Sequence, residues 1–178
     1  MKFTIRAVSA LGAACLCALL PGQPAVAQEA VVGVADAEAL FTSPDPKLHA
    51  NKQVVYHVVR DLLEAGHWEL ADRYLTERYI QHNPNAPSGR QGVVDLFTKR
   101  LGVVPTPIPE KTTRKIVAVL AEGDLVMVAF PSEQPDPVEP GKTYSTTWFD
   151  MFRIQDGKVD EHWDNSPKFP LPPASPRP

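Results

Sequence analysis

Between Thr143 and Asn165 the chain reads TYSTTWFDMFRIQDGKVDEHWDN, two runs of strand-forming residues separated by Asp156-Gly157. An Asp-Gly pair between such runs is the strongest short-range signal for an antiparallel hairpin, because the tight turn needs positive φ at both central positions. The same stretch holds Trp148, Asp150, His162, Trp163 and Asp164, the densest group of titratable and aromatic side chains in the chain. Whether they share a face depends on one residue of register. A two-residue turn pairs Ile154 with Val159 and puts Asp150 on the opposite face from His162 and Asp164. A three-residue loop, Gln155-Asp156-Gly157, pairs Ile154 with Lys158 instead. Trp148, Asp150 and Phe152 then share a face with His162 and Asp164, and Phe149, Met151, Val159 and Trp163 form an apolar set behind them. Periodicity accepts both registers.

The elements that precede this hairpin have a different period. Asp45 can cap a helix with Pro46 at its first position, and Val54, Val55, Val58, Val59, Leu62 and Leu63 recur at helical spacing up to a stop at Gly66. Tyr56 and His57 sit beside that apolar stripe. A second short helix is expected near Trp68 to Leu75. Arg78 to Pro84 then breaks the pattern as a turn, which puts His82 on a loop. Ser88 is a suitable cap for a third helix carrying Val93, Val94, Phe97 and Leu101 on one face. After the prolines at 105, 107 and 109 come two strand-like runs, Lys115 to Leu120 and Leu125 to Phe130, and then an acidic, proline-rich loop from Pro131 to Pro140.

Helices first and hairpins afterwards imply an α+β domain. We expect three N-terminal helices packed on a strongly curved antiparallel sheet of about four strands. Such a cone encloses an internal pocket between its two layers.

The ends of the chain are of another character. Lys2 and Arg6, the apolar run Ala7 to Leu20 and the small-residue site Ala25-Val26-Ala27 read as a secretory signal peptide over 1–27, too short in its apolar part to span a membrane. A flexible lead-in (28–44), a single domain (45–166) and a proline-rich extended tail (167–178) follow. The chain is therefore expected to be exported, to the periplasm or the medium of a bacterium, with no membrane insertion after cleavage. Both cysteines, Cys15 and Cys17, lie in the leader, so the mature chain has no disulfide and no thiol nucleophile. A net charge of −3, more negative once Lys2 and Arg6 are removed, argues against a nucleic-acid groove or a basic membrane-binding face.

In the second register one pocket wall carries two carboxylates and an imidazole among aromatic rings. Burial and mutual repulsion move such groups toward neutral pH, where they serve as general acids and bases. Asp160 and Glu161 read as solvated strand residues, with Arg153 to pair one of them. A metal site from His82, Asp150, His162 and Asp164 needs all four on one face and has no HExxH or cysteine signal behind it, so no metal is expected. A GxSxG elbow and glycine-rich phosphate loops are absent.

The strings Tyr79-Ile80-Gln81-His82-Asn83-Pro84, Ser88-Gly89-Arg90-Gln91-Gly92 and Glu161-His162-Trp163-Asp164, set in this order of elements, resemble the SnoaL-like polyketide cyclases. That family lies in the superfamily named after nuclear transport factor two. The resemblance covers about Leu48 to Asn165. It implies a cofactor-free pocket enzyme that removes a proton next to a carbonyl and stabilises the resulting enolate, as in intramolecular aldol ring closure. By position, Asp164 is the implied acid/base residue, His82 the pocket's loop histidine, and Asp150 and His162 its flanking polar groups. Trp148, Phe152, Tyr79 and Tyr56 complete the expected substrate-binding set. The resemblance also favours the register that joins Asp150 to Asp164, and it implies a homodimer formed through the sheet. The expected function is cofactor-independent acid/base chemistry, of cyclase, isomerase or hydrolase type, on a small apolar carbonyl compound. An exported small-molecule-binding or accessory domain without chemistry is the alternative.

Overall fold

The computed structural model describes residues 29–168; the expected leader over 1–27 and the tail beyond Lys168 lie outside the described residues. The first helix, α1 (Pro46–His57), begins where the sequence places it. Asp45 Oδ1 accepts the Lys47 and Leu48 N–H groups at 2.8 and 3.0 Å, which satisfies donors the helix itself cannot. The helix widens into a π-helical segment, Val58–Glu64, and ends at Gly66, whose φ of 77° continues no helix. The expected second helix is a 3₁₀ turn, Trp68–Leu70, followed by the single turn of α2 (Ala71–Tyr74). The third, α3 (Arg90–Asp95), also runs into a π-helical segment, Leu96–Arg100. Gly89, not Ser88, occupies its N-cap; Ser88 Oγ accepts the Gln81 N–H at 3.0 Å instead.

Five strands form the sheet, one more than expected. They are β1 (Leu75–Gln81), β2 (Ala118–Glu122), β3 (Leu125–Pro135), β4 (Thr143–Gln155) and β5 (Lys158–Asp164). Their order is β1-β5-β4-β3-β2, so the sheet curls without closing, and β1 runs parallel to β5 while the other pairs are antiparallel. The extra strand is the segment read as a turn. Leu75 and Tyr79 are buried, the residues between them are not, and the pairing with β5 slips between Leu75 and Ile80, so no clean period-two pattern marks the strand in the sequence. The proline-rich stretch is likewise shorter as a loop than expected. β3 pairs with β4 as far as Pro135↔Thr143, and β2 stops pairing at Ala118↔Ala129. Beyond that point β3 has an open edge, where a proline's missing N–H removes no ladder bond.

The lead-in is docked along its described length. Val34 N–H donates to the Ile116 carbonyl at 2.8 Å and Val31 N–H to Ser145 Oγ at 2.8 Å. Phe41, fully buried, packs edge-on against Tyr56 with centroids 5.2 Å apart. This is enough apolar and backbone contact to fix a segment whose composition suggests a loose one. The main core lies between the helices and the concave sheet face, with Val55, Val59, Leu62, Val93, Val126, Val128, Phe152 and Val159 at its centre. No helix among the described residues is long and apolar enough to cross a membrane.

The β4–β5 hairpin settles the register by combining features of both alternatives. Its turn has two residues, Asp156 at φ 51° and Gly157 at φ 73°, with Ile154 opposite Val159. Immediately after that pair the register shifts, so that Arg153 faces Glu161, Phe152 faces His162 and Asp150 faces Asp164. Asp160 is the extra residue of this β-bulge. Its carboxylate is 1% exposed and is held by Thr76 Oγ1 at 2.8 Å and by two nitrogens of Arg78. Asp160 is thus a structural anchor, not the solvated residue expected. Val159 and His162 both point to the concave side because of it. Phe149, Met151 and Trp163 remain on the outer face, without Val159.

Candidate active site

A cavity of about 380 Å³ lies between the sheet and the helical layer. Its apolar wall comes from α1's π segment (Val58, Leu62, Leu63), from Trp68, and from α3 and its extension (Val93, Leu96, Phe97). The extra residue in a π turn rotates the following side chains, and such turns recur where helices border functional sites. Arg114 sits at the exposed side of the same wall, over the ring of Phe130 at 5.0 Å.

The polar wall comes from the sheet. β4 supplies Trp148, Asp150 and Phe152; β5 supplies His162 and Asp164; β1 and the residues after it supply Tyr79, Gln81, Asn83 and Asn85. Asp150, His162 and Asp164 each bring one nitrogen or oxygen into a group whose members lie within 4.8 Å of one another. Trp148 Nε1–H donates to Asp150 Oδ1 at 2.8 Å, and His162 Nε2 lies 3.1 Å from the same oxygen. The Asn83 N–H donates to Gln81 Oε1 at 3.1 Å, which identifies the oxygen end of that amide. His162 Nδ1, 2.8 Å from the same Oε1, is therefore the donor of that bond. Asp164 is held differently: Asn83 Nδ2 donates to its Oδ2 at 2.6 Å and the Ser166 N–H to its Oδ1 at 2.9 Å.

Tyr79 lies beside this group, with its hydroxyl accepting from Gln81 Nε2 at 3.4 Å. Burial pushes its phenol well above the ordinary range, and the nearby Asp150 and Asp164 charges push the same way. Tyr79 therefore stays protonated at any physiological pH and remains a donor.

Two expected site residues lie elsewhere. Tyr79 and Gln81 turn inward along β1, so His82, next in the alternation, turns outward. Its ring stacks on Trp163 with centroids 4.7 Å apart, and Nε2 is 3.7 Å from Glu161. Only its backbone supports the site, by donating to the His162 carbonyl at 3.0 Å. Tyr56 lies on the side of α1 that faces Phe41, with its hydroxyl 3.3 Å from Glu38. Gln81, Asn83, Asn85 and Arg114 are polar cavity residues that sequence reasoning did not select, and Trp68 was read there only as core. The alternation Tyr79, Gln81, Asn83 is the one signal that would have found the first two.

The Asp150, His162 and Asp164 atoms are also the set that could hold a divalent cation. Gln81 on the far side of the imidazole would then orient the ligand nitrogen.

The family described as a SnoaL-like domain matches residues 55–162, most of the described fold and two of these three residues, Asp150 and His162. The chain belongs to the SnoaL-like domain family. Among solved structures it is similar to TsrD from Streptomyces laurentii, at 22% identity over 69% of this chain and 90% of that one, with a TM-score of 0.44. A polyketide cyclase by provisional assignment from Acidithiobacillus ferrooxidans has 18% identity over 69% and 89% of the two chains, with a TM-score of 0.49. Comparison with curated protein sequences finds no match.

Proposed function

We propose that this protein is a cofactor-independent acid/base enzyme acting on a small apolar carbonyl compound, with aldol-type ring closure as its reaction. The observation that carries this reading is the convergence of Asp150, His162 and Asp164 at one end of an otherwise apolar cavity. Asp164, its carboxylate oriented by Asn83 and Ser166, is the base that removes a proton from the carbon next to the carbonyl. The C–H electron pair becomes the enolate, whose oxygen is stabilised by the Tyr79 hydroxyl and His162. The enolate carbon then attacks a second carbonyl of the same molecule. The proton held between His162 and Asp150 passes to the alkoxide that forms, and the Asp164 proton restores the pair. The placement of His82 outside the cavity removes it from this scheme.

The test is closure of an aliphatic δ-diketone by the mature chain and by Asp164→Asn. The substitution is isosteric, so its melting temperature should stay within a few degrees of wild type. The closure rate should fall by about a hundredfold or more, the lower range for a general base. An undiminished rate would reject Asp164 as the base.

A further inference from the structure

The cavity that holds the two carboxylates is also lined by a cation. Arg114 is the only arginine or lysine among the described residues that border it. Two contacts place its guanidinium. Nη1 donates to the Leu63 carbonyl on the helical wall at 3.4 Å, and Cζ lies over the Phe130 ring at 5.0 Å. Phe130 is buried and follows Val126 and Val128 along one face of β3, the concave face, where it stands opposite Trp148. Trp148 lines the cavity and donates to Asp150, two residues further along β4. The guanidinium therefore sits between the two layers, one same-face position beyond Asp150, a step of about 7 Å along a strand.

This guanidinium has no carboxylate partner. Arg60, Arg78 and Arg153 each pair with one, whereas Arg114 forms no ion pair among the described residues. Glu64 is close enough to feel its charge, but both Glu64 oxygens are engaged. Thr112 Oγ1 donates to one at 2.6 Å, and the N–H and Oγ1 of Thr113 donate to the other at 2.9 and 2.5 Å. Contact with a ring face uses none of the arginine's N–H donors, and the long bond to Leu63 uses one, so the rest of the fork is free. The backbone beneath it is held. Arg114 N–H donates to Thr112 Oγ1 at 3.3 Å, and Ile116, two residues on, is fully buried. An anchored guanidinium with donors to spare matches a planar carboxylate in two-point fashion.

We infer that Arg114 binds a carboxylate carried by the ligand, at the opposite end of an apolar body from the carbonyl that meets Asp164, His162 and Tyr79. The inference rests on the proposed reading for the position of that carbonyl. It narrows the substrate class to keto acids whose two oxygen functions stand about 7 Å apart, the one-position spacing along the strand. It also gives the ligand a direction. Asp150 and Asp164 repel its anionic end and Arg114 attracts it, so the ketone is the end that reaches the base.

The experiment uses binding alone, so it does not depend on turnover. Para-acetylbenzoate and para-acetylbenzamide share shape and length and differ in the charge at one end. Calorimetric titration of the protein at low salt should show a preference of about tenfold for the acid, the lower range for hydrogen bonds to a charged group. Because Arg114 is exposed, that preference should shrink at high salt, a test of the same charge that needs no variant. Arg114→Gln should abolish the preference by weakening the acid alone; unchanged affinity for the amide shows that the cavity is intact. Arg114→Lys, which keeps the charge without the fork, should recover part of it. A preference that survives Arg114→Gln, equal binding of acid and amide to wild type, or no measurable binding of the acid would each overturn the inference. Failure of the acid/base reading would show separately. The acid would still be preferred through Arg114, but its methyl-ketone protons would exchange in deuterium oxide no faster than in buffer.

Discussion

At the scale of single residues, the proposed reaction rests on one pair of side chains. Gln81 accepts from His162 Nδ1, and the second nitrogen meets Asp150 at 3.1 Å, so on the proposed reading the two side chains act as one unit. Their losses should not add. Asp150→Asn and His162→Gln should each lower the closure rate by a similar factor, and the double variant should be little worse than either. Rate measurements on the three variants check this. Multiplicative losses would mean that the two groups serve separate steps. Trp148 donates to the same Asp150 oxygen, which makes it a positioning residue on the same reading.

At the scale of elements, the site is made by a register change within one hairpin. The turn at Asp156-Gly157 was legible from the sequence, and so was the gathering of Asp150, His162 and Asp164 in a single stretch. The faces were not legible, because they depend on the bulge at Asp160. That bulge is stabilised by Thr76 and Arg78, which lie 84 and 82 residues away in sequence, on a strand that has no clean period-two pattern. The same hidden strand explains His82. Read as a loop, Arg78 to Pro84 gave no means of assigning sides; with β1 running to Gln81, Tyr79 and Gln81 turn inward, and His82, on the loop that begins just after the strand as expected, continues the alternation outward. Segregation of helices from hairpins was enough to give the fold class, and Asp45-Pro46 with Gly66 bounded the first helix closely. The π-helical segments carry no recognisable signature and were not foreseen. The turn itself can be tested. Nothing lies within 4 Å of a Cβ placed on Gly157, so a side chain there meets only the strain of φ 73°. Gly157→Val should cost about 1–2 kcal/mol in denaturant unfolding, the penalty for a left-handed L-residue. An unchanged midpoint would mean that the turn is not held in this conformation.

At the scale of the whole molecule, the carboxylates that anchor the fold, Asp160 and Asp61, are not those that line the cavity. The Arg78 guanidinium holds the Asp160 carboxyl below its ordinary range, against the opposing effect of burial, with Thr76 adding a second hydrogen bond. For Asp61, burial acts to raise the carboxyl, but the Arg60 and Tyr74 hydrogen bonds outweigh it and the net direction is again downward. A carboxyl with a depressed folded-state pKa contributes stability that is present above its unfolded pKa, about 4, and lost as pH falls through the folded value. The fold should therefore hold to pH 4 and lose stability below it. Arg78→Gln should move acid unfolding to higher pH, as followed by far-ultraviolet circular dichroism; an unmoved transition would remove Asp160 from the acid-sensitive set.

The central claim is that Asp164 abstracts a proton beside a carbonyl, and this can be measured without knowing the natural substrate. In deuterium oxide, with β-tetralone as the bound ketone, the mature chain should accelerate exchange of the α-protons for deuterium, as followed by proton NMR. Asp164→Asn should lose that acceleration while binding the ketone with similar affinity. Saturable binding of β-tetralone with exchange no faster than in buffer, or exchange unchanged in Asp164→Asn, would contradict the account.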